Sequence, residues 1–163
     1  MAEPATLAQL GETELIRRLE AYAPPGQFND DAALLQERSD RVLVVTTDVL
    51  VEGIHFSDVT VAAADLGWRA AAANLSDLAA MGCHSVRGLT VGLVAPSSTA
   101  WSWVEGVYGG LGEALARYGG QLLGGDCSAG EQRMLAITAL GHLAPGGAIG
   151  RGDGRPGDRL VST

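Results

Sequence analysis

The stretch from Val61 to Met81 constrains this chain most: it is alanine-rich, contains no proline, and holds a single glycine, Gly67. Asp65 near its start and Gly82 just past its end are the residue types that favour the two ends of a helix, so the whole stretch predicts one long helix. Leu15, Ile16 and Leu19 predict a shorter amphipathic helix after Gly11-Glu12-Thr13, stopped by Pro24-Pro25-Gly26. Ala32 to Leu35 and Arg41 to Asp48 read as strands around the turn-rich Glu37 to Asp40. The second is β-branched and nearly continuous, which predicts a buried centre. Val86 to Ala95 and Met134 to Leu143 read as further strands, and Thr99 to Tyr118 as a helix despite its four glycines. This order predicts an α+β fold, a mixed or antiparallel sheet with helices packed on one face.

Several function classes are excluded by composition. All 11 basic residues are arginine, so phosphate loops and Schiff bases that depend on lysine are unavailable. A net charge of -8 with few aromatics lacks the footprint of a nucleic-acid binder. The most apolar stretches are about ten residues long, against the roughly 20 that a membrane-spanning helix requires. Two cysteines and a start without a basic, then apolar, leader predict a cytoplasmic setting. With 163 residues, 47% of them hydrophobic, the sequence suffices for one domain with a core.

Aspartates fall at the predicted element ends: Asp30 and Asp31 in a turn, Asp48 ending the valine-rich strand, Asp77 in the long helix, and Asp126 after Gly124-Gly125. Taken singly, each reads as a solvated turn or a polar strand end, and Gly-Gly-Asp as a hairpin turn. Asp77 stands out because Leu75, Leu78, Ala79 and Ala80 surround it, and burying a carboxylate there requires an arginine or a metal. Asn74 and Asp77, three apart, share a helical face. Thr46 and Asp48 share one face of their strand, and Thr47 points to the other. Hydroxyl, carbonyl and carboxylate oxygens suit a hard cation such as Mg²⁺, and no thiol–imidazole spacing suits zinc.

Gly11-Glu12-Thr13-Glu14-Leu15-Ile16, Asn29-Asp30-Asp31-Ala32-Ala33, Thr46-Thr47-Asp48 with Glu52-Gly53-Ile54-His55-Phe56, Asn74-Leu75-Ser76-Asp77-Leu78-Ala79-Ala80-Met81-Gly82 and Gly124-Gly125-Asp126 occur in that order. Together they resemble the thiamine-monophosphate kinases, within the superfamily of aminoimidazole-ribonucleotide synthetase-like ATP-binding enzymes. The resemblance implies ATP-dependent phosphorylation of thiamine phosphate to thiamine diphosphate. It implies Mg²⁺ ligation by Asp31, Thr46, Thr47, Asp48, Asp77 and Asp126, with Asp30 in support. It further implies that His55 touches thiamine phosphate, and that Gly125, Asp126 and Arg151 contact ATP. A homodimer with a shared β-barrel is implied as well, the active site lying near the subunit interface.

The family reads Gly-Asp-Asp where this chain has Asn29-Asp30-Asp31, and commonly threonine where it has Cys127, both changes sparing the carboxylates. By the same resemblance residues 1–163 are the amino-terminal ATP- and Mg²⁺-binding and dimerisation domain, with the family's carboxyl-terminal domain absent. Little turnover is expected of such a piece alone. The alternatives are a sister ATP-dependent synthetase and a noncatalytic dimerisation or metal-binding module. Gly152 to Gly157 spells G-x-G-x-x-G but contains Pro156, and reads as a turn rather than a dinucleotide loop. Arg151-Gly152-Asp153 spells an adhesion tripeptide for which a cytosolic chain has no use. Trp101 and Trp103 read as core and rim of the third helix rather than as a stacking platform.

Overall fold

In a computed structural model of the chain, residues 5–25, 41–150 and 152–159 are described. The first element is α1 (Leu7–Leu19), opened by a capping box in which the Thr6 and Gln9 side chains satisfy each other's backbone N–H groups. The helix starts earlier than the sequence predicts and kinks at Gly11, whose φ of 71° suits glycine. A 3₁₀ turn, Glu20–Tyr22, ends it before the two prolines.

The remaining elements are β1 (Leu43–Val51), α2 (Ala63–Ala80), β2 (Cys83–Ala95), α3 (Trp101–Tyr118), β3 (Leu122–Ala129) and β4 (Met134–Leu143). The predicted strand at Ala32 to Leu35 lies outside the described residues. Strand order is β1-β4-β2-β3, antiparallel except for the parallel pair β2 and β3. Parallel neighbours need a crossover, and α3 provides it. The described sheet is therefore mixed and open, with β1 and β3 at its edges.

Two strand readings change on inspection of the register. Asp48 does not end its strand, because Val49, Leu50 and Val51 continue the ladder against Ala136, Leu135 and Met134. Gly124-Gly125-Asp126 is not a hairpin turn but the middle of β3, paired with Thr90, Val91 and Gly92. Glycine weakens strand propensity, and the partner strand overrides that preference here.

One face of the sheet is covered. Leu89, Val91 and Leu93 of β2 and Leu135, Ile137 and Ala139 of β4 are all at most 2% exposed beneath the helices. Helix α2 contributes Leu66, Ala70, Ala71, Asn74, Leu75 and Leu78, spaced by three and four residues as one helical stripe. Its crossing with α3 is close: a Cβ at Gly110 would sit 1.9 Å from the Ala64 carbonyl oxygen. Both tryptophans pack on α3, but in the reverse of the expected order: Trp103 is buried as core and Trp101 is half-buried as rim. The other face is bare, with Val45 58% and Val49 42% exposed. Among the described residues no helix is long and apolar enough to cross a membrane.

Candidate functional site

Helix α2 follows β1 and lies against it, and the two exchange polar side chains where they meet. The Thr46 hydroxyl donates to Asp77 Oδ2 at 2.8 Å. One helical turn earlier, the amide of Asp48 donates to Asn74 Oδ1 at 3.2 Å, while Asn74 Nδ2 donates to the Ala70 carbonyl at 3.0 Å. Residues two apart on a strand are separated by about 6.6 Å and residues three apart on a helix by about 4.5 Å of axial rise. These repeats are close enough that one antiparallel strand–helix pair makes both contacts.

Asn74 is fully buried, whereas Asp77 is exposed. The expectation that Asp77 is buried and so demands a counter-charge is therefore corrected. It lies on the flank of the covered stripe, where α2 meets the edge strand β1, so it stays in contact with water, and its hydrogen bond comes from a neutral hydroxyl. Thr46 and Asp77 meet at the β1 edge, and Asp48 projects from the same face of that strand as Thr46, so these residue types offer only the oxygen that a hard cation takes. Among the described residues no group of three or more His, Cys, Asp or Glu side chains gathers as a metal-holding cluster. Beside them opens a cavity of about 540 Å³ lined by Val44, Thr46, Asp77, Met81, Ile149 and Gly150.

Other predicted positions fall elsewhere. Thr47 points to the bare face, where its hydroxyl pairs with that of Thr138 at 2.8 Å. Asp126 lies on β3, three strand spacings from β1 and so about 14 Å away. Its cross-strand row runs through Gly92, Ala136 and Val49, again on the bare face. Within one chain, Asp126 does not join Thr46, Asp48 and Asp77. It accepts instead from the Ser128 hydroxyl at 2.9 Å. Gly125 has a structural reason to be glycine, since a Cβ there would sit 1.9 Å from the Val91 carbonyl oxygen. Asp30, Asp31 and Arg151 lie outside the described residues.

His55 is exposed on the loop after β1. The backbone N–H of Val51 donates to its Nδ1 at 3.0 Å, which leaves Nε2 as the ring's outward nitrogen. Arg69 of α2 holds the His55 carbonyl. Around this loop is a group of residues that sequence reasoning missed. Arg133 hydrogen-bonds Glu52 and Asp58, and its guanidinium stacks 4.7 Å from the Trp103 ring centroid. Its hydrogen bond holds the Glu52 carboxyl below the usual carboxylate range, and Glu52 and Asp58 keep Arg133 charged. Glu52 and Arg133 are 81 positions apart, a separation at which no local pattern announces a pair. Cys83 and Cys127 are both free, and burial pushes the Cys127 thiol up to about 11.

Residues 29–143 match the family described as AIR synthase related protein, N-terminal domain. The thiamine-monophosphate kinase of Prochlorococcus marinus is 51% identical over 157 residues, 96% of this chain and 46% of that protein. The crystal structure of thiamine-monophosphate kinase from Stenotrophomonas maltophilia K279a has 38% identity and a TM-score of 0.70, over 83% of this chain and 43% of that one. The structure of AaThiL complexed with AMPPCP and TMP has 27% identity and a TM-score of 0.61, over 86% of this chain and 45% of that one. The chain spans about half the length of the curated relatives it matches.

Proposed function

The chain belongs to the AIR synthase related protein family, through its amino-terminal domain, and on that premise we propose that it is the amino-terminal half of a kinase that transfers phosphate from ATP to thiamine phosphate. The observation that carries this reading is the Thr46–Asp77 hydrogen bond beside Asp48. Two motifs distant in sequence meet there and offer only oxygen donors. A relative that takes up AMPPCP and TMP supports both substrates.

Thr46, Asp48 and Asp77 would hold Mg²⁺, whose charge neutralises phosphate oxygens and stabilises the charge that develops during transfer. Without a cation the arrangement repels a nucleotide, because two like charges 4 Å apart cost about 4 kcal/mol at an effective dielectric near 20. Asn74 fixes the β1 backbone from which Asp48 projects. His55 presents an N–H donor to the thiamine phosphate. The acceptor is a phosphate monoester already ionised near neutral pH, so alignment of the reactants suffices and no general base is assigned.

Asp31, Thr47 and Asp126 complete the proposed ligand set, with Asp30 beside them, and Gly125, Asp126 and Arg151 meet ATP. The bare sheet face of one chain packs against that of a second to form a dimeric β-barrel. Within one chain Asp126 and Thr47 face away from Asp48, so any common site they share with it would have to be completed by the partner subunit. The reaction belongs to thiamine diphosphate biosynthesis in the cytoplasm. Joined to its carboxyl-terminal half, the protein is expected to form thiamine diphosphate from Mg·ATP and thiamine phosphate, and the isolated chain to turn over little. Phosphorylation of another acceptor, with none of thiamine phosphate, would reject the assignment in favour of a sister enzyme.

A further inference from the structure

Residues 52–58 form a tight loop between β1 and α2, and His55 sits at its middle. Locally the loop is closed by Gly53 N–H donating to the Phe56 carbonyl at 2.8 Å and by His55 N–H donating to the Val51 carbonyl at 2.8 Å. Neither bond ties it to the rest of the fold. Arg133 does. Its Nε donates to Glu52 Oε2 at 3.0 Å, and its backbone N–H reaches the same oxygen at 3.3 Å. Its Nη2 donates to Asp58 Oδ2 at 2.8 Å and also to Glu52. One guanidinium thus grips both ends of the loop.

The grip is itself rigid. Arg133 is 12% exposed and rests on Trp103, which stacks with Phe56 at 6.3 Å between ring centroids. Phe56, next to His55, is 4% exposed. A planar guanidinium with its donors in a fixed fork satisfies two carboxylates and an aromatic face together, which an ammonium does not. On the opposite side of the loop, the Val51 amide holds His55 Nδ1, so the ring's orientation depends on where the loop sits.

We propose that Arg133 is a positioning residue for the acceptor substrate: by tying Glu52 and Asp58 to β4 and to Trp103, it fixes the loop from which His55 presents its Nε2–H. The substrate half of this statement rests on the reading of His55 given above, and the loop half does not. Arg133 touches no substrate and acts through His55.

The test uses two readouts on the protein joined to its carboxyl-terminal half. ¹⁵N-labelled histidine spectra report whether His55 keeps the single tautomer in which Nδ1 accepts. Steady-state kinetics separate KM for thiamine phosphate from KM for ATP. Arg133→Gln is expected to give a mixed His55 tautomer and to raise KM for thiamine phosphate about tenfold, with KM for ATP within about twofold. Arg133→Lys is expected to restore only part of the loss. Should Arg133→Gln fail to fold, Asp58→Asn removes one arm at a side chain that is 61% exposed, and a smaller shift of the same kind is expected. An unchanged tautomer and unchanged KM in both Arg133→Gln and Asp58→Asn overturn the proposal. A changed tautomer, with KM for thiamine phosphate unmoved in Arg133→Gln and in His55→Gln alike, upholds the loop half and removes His55 from the substrate site.

Discussion

The hydroxyl of Thr46 lies 2.8 Å from Oδ2 of Asp77, joining the middle of an edge strand to the last turn of the helix that covers it. The contact brings together two motifs that the sequence separates by 31 positions. Its second anchor joins half-buried Asp48 to Asn74, which lies one turn earlier and is itself closed to water.

Replacing Asn74 tests that anchor. Asn74→Ala opens a small cavity and leaves the Asp48 N–H and Ala70 carbonyl without their side-chain partner. A buried polar group stripped of its partner costs about 1–3 kcal/mol. Thermal unfolding of Asn74→Ala is expected at a midpoint lower by about 4–8 °C, from a loss of about 2 kcal/mol in a domain of this size. A midpoint within one degree of the parent contradicts the account of Asn74 as the support for β1.

Gly125→Ala separates a structural from a ligand role. The added Cβ meets the Val91 carbonyl oxygen at 1.9 Å, so the parallel pairing of β2 and β3 must open. Overpacking of this kind costs about 1–3 kcal/mol. Chemical denaturation without any nucleotide is expected to show that loss. Full stability with weakened nucleotide binding would instead assign Gly125 to the ligand alone.

The Glu52–Arg133 pair predicts how stability responds to acid. Glu52 titrates below its ordinary range because Arg133 hydrogen-bonds its ionised form. A group depressed in the folded state binds fewer protons there than when unfolded. Its stabilisation is therefore present above the unfolded carboxylate pKa and lost as pH falls through the lower folded value. Glu52→Gln should flatten the acid limb of a stability–pH curve and leave its neutral and alkaline limbs parallel to the parent. An acid limb as steep as the parent's would show that Glu52 is not protected in the fold.

The proposed dimerisation through the bare sheet face would make Val45 and Val49 interfacial. Val45→Glu places a charge at a side chain 58% exposed in the single chain, which the monomer tolerates and an apolar interface does not. Sedimentation equilibrium is expected to show a dimer for the parent and a monomer for Val45→Glu, with unchanged secondary structure by circular dichroism. A variant that dimerises like the parent moves the interface elsewhere.

Helices and central strands were legible in the sequence because burial imposes periodicity. The stripe of α2 and the alternation of β4 are written in the spacing of apolar residues. The reach of β1 beyond Asp48 and the strand character of Gly124-Gly125-Asp126 were not, since both are decided by the partner strand rather than by local preference. At the site, the types and order of Thr46, Asp48 and Asp77 were readable, but their depth was not. Asp77 turned out exposed because it lies on the flank of the buried stripe, where α2 meets the open edge strand β1 and water still reaches it. Arg133 carried no signal, since an arginine beside a strand usually faces water and only the folded loop brings its two carboxylates together.

Calorimetric titration of a nonhydrolysable ATP analogue into the chain, with and without Mg²⁺ and with Asp77→Asn, tests the central claim most directly. The account predicts binding heat that requires Mg²⁺, and an affinity about 10- to 100-fold weaker in Asp77→Asn. It also predicts folding stability within about 0.5 kcal/mol of the parent, because the replaced side chain is exposed. Nucleotide binding that is indifferent to Mg²⁺, or a folded Asp77→Asn that binds as tightly as the parent, would contradict it.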